Sequence, residues 1–243
     1  MDMAGTGDRR AEWFVPSFGP EKFRIFVGLL FLPYTAMVLS FAVIGSMLSQ
    51  QIIWDRVIAI LVIYFLALGI GGHALDALGR KGAKPWGTVF PRHMLIILSL
   101  VTIGLAYAIG LYYMVFHTPL LWLIAIPEGF FLCAYNLEWF ERRFHTDRWF
   151  AFSWGFLPVL AGYVLQTNRL SFSAILMASA MGTLSLVEIK ASRPYKQLKR
   201  QLATEDSSLL REQIQRWEGI LKSLSLGVIL VGAGMVVWRL SGV

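Results

Sequence analysis

The sequence predicts an all-α integral membrane protein, a seven-span helical bundle, on three observations. Of its 243 residues 56% are hydrophobic and 15% charged, whereas about a quarter of a soluble domain is charged, and the mean hydropathy is +0.60. The apolar residues gather into segments of about 20, the length that crosses about 30 Å of hydrocarbon at about 1.5 Å per residue. Lysine and arginine are divided unequally between alternate loops. The residue-by-residue alternation of a membrane β-barrel is absent.

The predicted spans are Phe23–Leu48, Trp54–Gly71, Met94–Phe116, Leu120–Leu137, Trp149–Gln166, Leu170–Ile189 and Ile220–Leu240. With the N-terminus in the cytoplasm, the cytoplasmic stretches carry 4, 4, 3 and 8 Lys and Arg, and the outer ones 1, 0, 1 and 1. This 19 to 3 division of the 22 basic residues supports both the orientation and the number of spans, because a missed helix would exchange the later loops. It places the C-terminus on the opposite side. The net charge of +7 then belongs to the cytoplasmic face and is suited to anionic lipid. Nucleic acid is not expected as a partner, since no recognition fold or stacking motif accompanies the charge.

Residues 1–22 hold Asp2, Asp8 and Glu12 and no apolar core of a signal peptide. Trp13, Phe14 and Phe18 beside Pro16, Gly19 and Pro20 suggest a cytoplasmic segment at the membrane interface, with a frayed tail and an aromatic anchor as the simplest form. Residues 23–243 form one transmembrane helical domain. Pro33 in the first span frees a backbone carbonyl and predicts a kink. Gly69, Gly71 and Gly72 end the second span and allow close approach or unwinding just before His73.

The stretch Gly72 to Thr88, GHALDALGRKGAKPWGT, concentrates polar groups at a span end. If the helix continues, His73, Asp76 and Arg80 share one face. That face can ligate a metal through Asp76, receive a phosphate with Arg80, Lys81 and Lys84, or close the helix with an ion pair. A second polar helix end is EIKASRPYKQLKR, Glu188 to Arg200. Both lie on the same side, which predicts a site between them.

The third span is apolar apart from Tyr107, Tyr112 and Tyr113. In the fourth, Glu128 follows Pro127 near mid-depth, where an ionised carboxylate costs at least about 2.5 kcal/mol unless paired. It is expected to be either a structural carboxyl bonded to a neighbouring hydroxyl or backbone group, or a cavity residue. Tyr135, Glu138 and Arg142 recur at helical spacing and are expected to carry the polar face of this helix out of the membrane. Arg142 and Arg143 offer two guanidinium forks for phosphate, or anchor the helix and pair with Glu138 and Glu141. Pro158 and Gly162 let the fifth span bend. The insertion at 190–219 reads as two short amphipathic helices split near Thr204–Ser208, with Asp206 and Ser207 as caps of the second. Gly227, Gly232 and Gly234 permit close helix contact in the last span.

The order of these features resembles the UbiA superfamily of intramembrane prenyltransferases over about residues 20–200. In that family the loop after the second helix carries NDxxDxxxD followed by Arg-Pro. GHALDALGR aligns with it, with Gly72 and His73 at the Asn-Asp positions, Asp76 retained, Arg80 at the last Asp, and Lys84-Pro85 for Arg-Pro. Tyr135, Arg142-Arg143, Thr146, Pro158 and Gly162 follow the family's order of tyrosine, basic pair, polar turn, and helix with proline and glycine. The second acidic motif falls at Glu188–Tyr195, where Glu188, Lys190 and Arg193 stand. The family usually has nine spans, two more than this chain.

The resemblance implies transfer of a prenyl group from an isoprenyl diphosphate to a lipophilic acceptor. Mg2+ would be held by Asp76 and Glu188, the catalytic pair, because magnesium prefers carboxylate, water and phosphate oxygens. His73, Arg80, Lys84, Tyr135, Glu138, Arg142, Arg143, Lys190 and Arg193 would bind the substrate. Cations stand where the family has further carboxylates, so the alternative is a non-catalytic subunit that binds lipid, quinone or pigment within a membrane complex. Membrane lipids, an isoprenoid-tailed ligand and other membrane proteins are the expected partners. Other chemistries lack their residues. Cys133 is alone, the four histidines form no cofactor box, Lys222 lies at the edge of the last span, and no phosphate loop or nucleophile elbow occurs.

Overall fold

A computed structural model of the chain describes residues 12–79, 89–205 and 207–242. Every regular element among them is helical. Among the described residues seven helical stretches are long and apolar enough to cross a membrane, as befits a multi-pass integral membrane protein: Glu21–Met47, Trp54–Gly79, Arg92–Phe116, Pro119–Asn136, Asp147–Thr167, Phe172–Leu202 and Ser208–Leu240.

The first span is two helices, α1 (Glu21–Leu29) and α2 (Leu32–Met47). Where the sequence predicts a kink at Pro33, the chain breaks just before it. Phe31 takes a left-handed conformation, φ 46°, a strained choice for a residue with a side chain. A broken helix at membrane depth must satisfy the carbonyls it frees, and Thr35 Oγ1 donates to Leu30 O at 2.6 Å.

The second span runs from α3 (Trp54–Tyr64) through a π-helical stretch, Phe65–Gly72, into α4 (His73–Gly79). The glycines thus widen the helix without ending it. Next come α5 (Arg92–Phe116) and α6 (Trp122–Asn136). The fifth span is α7 (Asp147–Ala151), a second π-helical stretch at Phe152–Phe156, and α8 (Leu157–Thr167). The last two are α9 (Phe172–Leu202) and α10 (Ser208–Leu240).

Burial orders the bundle. The fifth span is 72% buried in its apolar window and sits at the centre, whereas Arg92–Phe116 and Ser208–Leu240 are 28% and 22% buried and form its periphery. Leu100, Phe116, Leu230 and Val237 are exposed there, a surface that hydrocarbon tolerates and water does not. At the centre α2 and α8 nearly touch. A Cβ on Gly45 would run into the Val159 carbonyl, and one on Gly162 into that of Ala42. Ser46 Oγ donates across the crossing to Gly162 O at 3.3 Å.

One end of the bundle is latched by polar groups. Gln166 exchanges two hydrogen bonds with the Ile53 backbone, at 2.8 and 3.1 Å. Arg56 donates to Leu165 O at 2.9 Å, and Arg239 donates twice to Met47 O, at 3.0 and 2.7 Å. These guanidiniums fill the last carbonyls of helices that would otherwise end unsatisfied.

Three local expectations are corrected. The N-terminal segment is not frayed at Glu12–Val15. Glu12 is buried and accepts from Tyr195 Oη at 2.7 Å and Lys199 Nζ at 3.2 Å, and Trp13 and Phe14 pack on the cluster of Ile25, Phe31, Tyr34 and Tyr195. The fourth helix does not carry Glu138 and Arg142 outward. It stops at Asn136, where Trp139 N turns back to Ala134 O at 3.1 Å, and Glu138, Phe140, Glu141 and Arg142 follow with positive φ. Residues 190–219 do divide near Thr204–Ser208 as expected, but the two pieces are not separate short helices. They continue α9 to Leu202 and begin α10 at Ser208, since a helix already nucleated in the membrane extends at one hydrogen bond per residue. Ser207 is the N-cap residue of α10 but makes no capping bond; Asp206 lies outside the described residues.

Candidate functional site at the basic end of the bundle

Two glycines and two π-helical stretches bring the polar groups together. A Cβ on Gly79 would strike the Asn136 carbonyl, with Leu137 Cα at 2.9 Å, so only glycine lets the end of α4 lie on the end of α6. That places Asp76 beside Tyr135. A Cβ on Gly155 would meet Ser185 Cβ at 2.7 Å and Gly182 Cα at 2.8 Å. This close approach sets α9, and with it Glu188, against the start of the fifth span.

The centre of the arrangement is the buried Tyr135. Its hydroxyl lies within electrostatic reach of Asp76, Arg193, Asp147 and Glu188. The two predicted polar helix ends therefore meet. Arg193 Nη2 pairs with Asp147 Oδ1, and Lys196 acts electrostatically on Glu188. Glu188 is 4% exposed and has no hydrogen-bond partner among the described residues. Ser185 and Ser192 stand one turn before and after it on the same face, and their buried hydroxyls are likewise without a partner among the described residues. Buried polar groups are normally bonded. A carboxylate flanked by two such hydroxyls is a face shaped for a polar guest.

Aromatic rings wall the site. Phe31 stacks on His73 at 5.0 Å, His73 meets Trp154 at 5.5 Å, Trp154 stacks on Phe150 at 5.6 Å, and Phe150 reaches Tyr135 at 5.8 Å. The strained Phe31 backbone thus aims a ring at the histidine. Phe14 extends the wall, 4.9 Å from Phe31. On the far side His145 stacks on Tyr135 at 4.4 Å and donates through Nδ1 to the Tyr135 carbonyl at 3.0 Å.

Of the residues singled out in the sequence, Asp76, Tyr135, Glu188 and Arg193 converge, and His73 belongs to the ring wall. Glu138 and Arg142 pair with each other at 3.6 Å on the left-handed turn, Arg142 being 63% exposed. Arg143 and Lys190 are exposed; Lys190 is two residues past the buried Glu188, about 200° around the helix. Arg80 and Lys84 lie outside the described residues, as do Lys81 and Pro85. Sequence reasoning passed over Asp147, His145, Ser185 and Ser192. Asp147 had a readable signal, a Thr-Asp pair opening an apolar helix, and Thr146 does accept from Trp149 N at 3.4 Å. Ser185, Glu188 and Ser192 had one too, a spacing of three and four.

Among the described residues no three His, Cys, Asp or Glu side chains gather closely enough to enclose a metal ion. Asp76 and Glu188 both lie within electrostatic reach of the Tyr135 hydroxyl, and magnesium is commonly held by one or two carboxylates together with substrate phosphates. No protein-family model, no curated protein and no solved structure matches the chain.

Proposed function

We propose that the protein is a prenyltransferase-like membrane protein that takes the head of an isoprenyl diphosphate at its basic, cytoplasmic end and a lipophilic acceptor from the bilayer. The observation that supports this most is Glu188, buried with Ser185 and Ser192 on one face, under the influence of Lys196, and sharing with Asp76, Asp147 and Arg193 an electrostatic reach to the Tyr135 hydroxyl. Carboxylates alone would repel a diphosphate, and cations alone would need no carboxylates. The mixture suits an anion that arrives with a divalent cation.

In this reading Asp76 and Glu188 would hold magnesium, which would supply neutralisation of the diphosphate. Arg193 and Lys196 hold phosphate oxygens. Ser185 and Ser192 donate to them. When the carbon–oxygen bond breaks, its electron pair leaves on the diphosphate, the acceptor's nucleophile forms the new bond to carbon, and the proton that the acceptor gives up passes to the departing diphosphate.

The test is calorimetric titration of the purified protein with geranylgeranyl diphosphate, with and without magnesium, followed by assay for diphosphate release with lipophilic acceptors. Saturable, magnesium-dependent binding that Asp76→Ala and Glu188→Ala each abolish, with both variants folded, is the expected result. Absence of binding in either condition removes the proposal. A second reading, a non-catalytic subunit for lipid, quinone or pigment, draws on the Arg193–Asp147 pair, which already engages one cation; binding with no diphosphate release for any acceptor favours it.

A further inference from the structure

A cavity of about 70 Å³ lies within the bundle, away from the charges around Tyr135, among α3, α5, α6 and α8. Its wall is almost wholly apolar, and many of its residues are small, among them Ala67, Ala106, Gly110, Ala125 and Gly129. The polar exceptions are Glu128, Tyr64 and Tyr107. Glu128 is the tenth residue of the 18-residue span Pro119–Asn136, close to mid-depth. The helices α5 and α6 are joined by a short connection, yet they make almost no backbone contact with each other. The cavity occupies the gap between them.

The hydrogen bonds leave a specific remainder. Tyr64 Oη donates to Glu128 Oε1 at 2.8 Å, and Tyr107 Oη donates to Ala125 O at 3.2 Å. A Cβ on Gly129 would collide with Tyr107 Oη, so the glycine is what admits the phenol. Both phenol protons are then committed. Glu128 Oε2 has no hydrogen-bond partner among the described residues, and no basic side chain among them acts on the carboxyl. A carboxyl with an open oxygen beside an apolar cavity at mid-membrane is costly to keep and is a recurring mark of a binding site.

We propose that this cavity is a second site, which binds the head of a neutral lipid-soluble alcohol: its hydroxyl on Glu128 Oε2, its first few carbons in the cavity, and the rest of its apolar body passing out between α5 and α6 into hydrocarbon. The hydroxyl is the matching group because it donates to a carboxylate and accepts from a carboxylic acid, so the contact survives either protonation state. A carbonyl meets only the acid form and an ammonium only the ionised form. The apolar wall excludes charged ligands, and the gap gives entry from hydrocarbon rather than water.

The test uses the full chain in detergent, with farnesol as the probe and farnesene, the same chain type without the hydroxyl, as its comparison. Binding is read from the ligand-induced shift in melting temperature across a concentration series. Farnesol is expected to bind saturably and at least about tenfold more tightly than farnesene, the worth of one buried hydrogen bond to a carboxyl. Glu128→Leu is expected to erase that difference. Gly110→Leu, whose Cβ meets only Met114 Cε at 3.7 Å and whose side chain would enter the cavity, is expected to abolish binding of both probes while leaving the Tyr64–Glu128 bond in place. Asp76→Ala is expected to leave farnesol binding unchanged, which separates this site from the diphosphate site. Equal binding of farnesol and farnesene, undiminished farnesol binding in either Glu128→Leu or Gly110→Leu, or no farnesol binding by the wild type would each overturn the proposal.

Discussion

Replacing Glu12 with alanine should undock the N-terminal segment from the mouth of the site. The Glu12 carboxylate accepts from Tyr195 Oη at 2.7 Å and from Lys199 Nζ at 3.2 Å. Tyr195 is 2% exposed, so its hydroxyl loses an acceptor in a place water reaches poorly. Leaving a buried hydroxyl unbonded costs about 1–3 kcal/mol. The Lys199 pair, with the lysine side chain 26% exposed, adds only a few tenths of a kcal/mol after solvent screening. A total of about 2 kcal/mol raises the population of the undocked state about 30-fold. The backbone bond from Val15 N to Glu12 O, 2.9 Å, survives the substitution itself and opens only when the segment lifts. Amide exchange at Val15, followed in detergent micelles, should therefore accelerate by about 30-fold. The effect should shrink sharply in a Tyr195→Phe background, as a double-mutant cycle requires of two partners in contact. Unchanged exchange at Val15, or an acceleration of the same size without the Tyr195 hydroxyl, would refute the latch. The stake is functional, because Phe14 rides on this segment and touches Phe31, whose ring covers His73.

Two further substitutions test how the bundle is held. Gly162→Ala should destabilise by about 2 kcal/mol, because the new methyl meets the unyielding Ala42 carbonyl; Gly234→Ala, with nothing within 4 Å, should instead stabilise by up to about 1 kcal/mol through helix propensity. Thermal unfolding of the two variants with the same sign of shift would contradict the assigned α2–α8 crossing. Arg239→Ala should cost about 2 kcal/mol by stripping two charged hydrogen bonds from Met47 O, read as a lower melting temperature. A wild-type melting temperature there would mean that water serves that carbonyl equally well.

Seven membrane-length helices were legible in the sequence because hydropathy is a property of each residue and length a property of each run. Asp76, Glu188 and Tyr135 were found in the same way, as polar groups at the ends of apolar runs. The sequence likewise marked Pro33 and the Gly69–Gly72 cluster as places where regular helix is costly. Which way each place gives was decided by neighbours. Thr35 satisfies the carbonyl at the Phe31 break, so the first span divides. The second span keeps its helix as a wider π turn against α5 and delivers His73 and Asp76 on one continuous element.

Only the tertiary structure decided what the polar residues face. Helical spacing gave Glu138 and Arg142 the same standing as Tyr135, but the His145 bond to the Tyr135 carbonyl and the return of Trp139 N to Ala134 O end the helix between them. Asp147 joins the charges around Tyr135 from about 70 residues' distance in sequence to Asp76, through close approaches that glycines at 79 and 155 allow. Glu128 read equally well as a structural carboxyl or a cavity residue. It proves to be both, bonded to Tyr64 on one oxygen and open on the other, because the reach of the Tyr64 side chain from α3 to α6 and the parting of α6 from α5 are long-range matters. Composition and periodicity fix which residues leave water; the angle and separation at which two helices meet depend on volumes contributed by both, and no single stretch of sequence contains that sum.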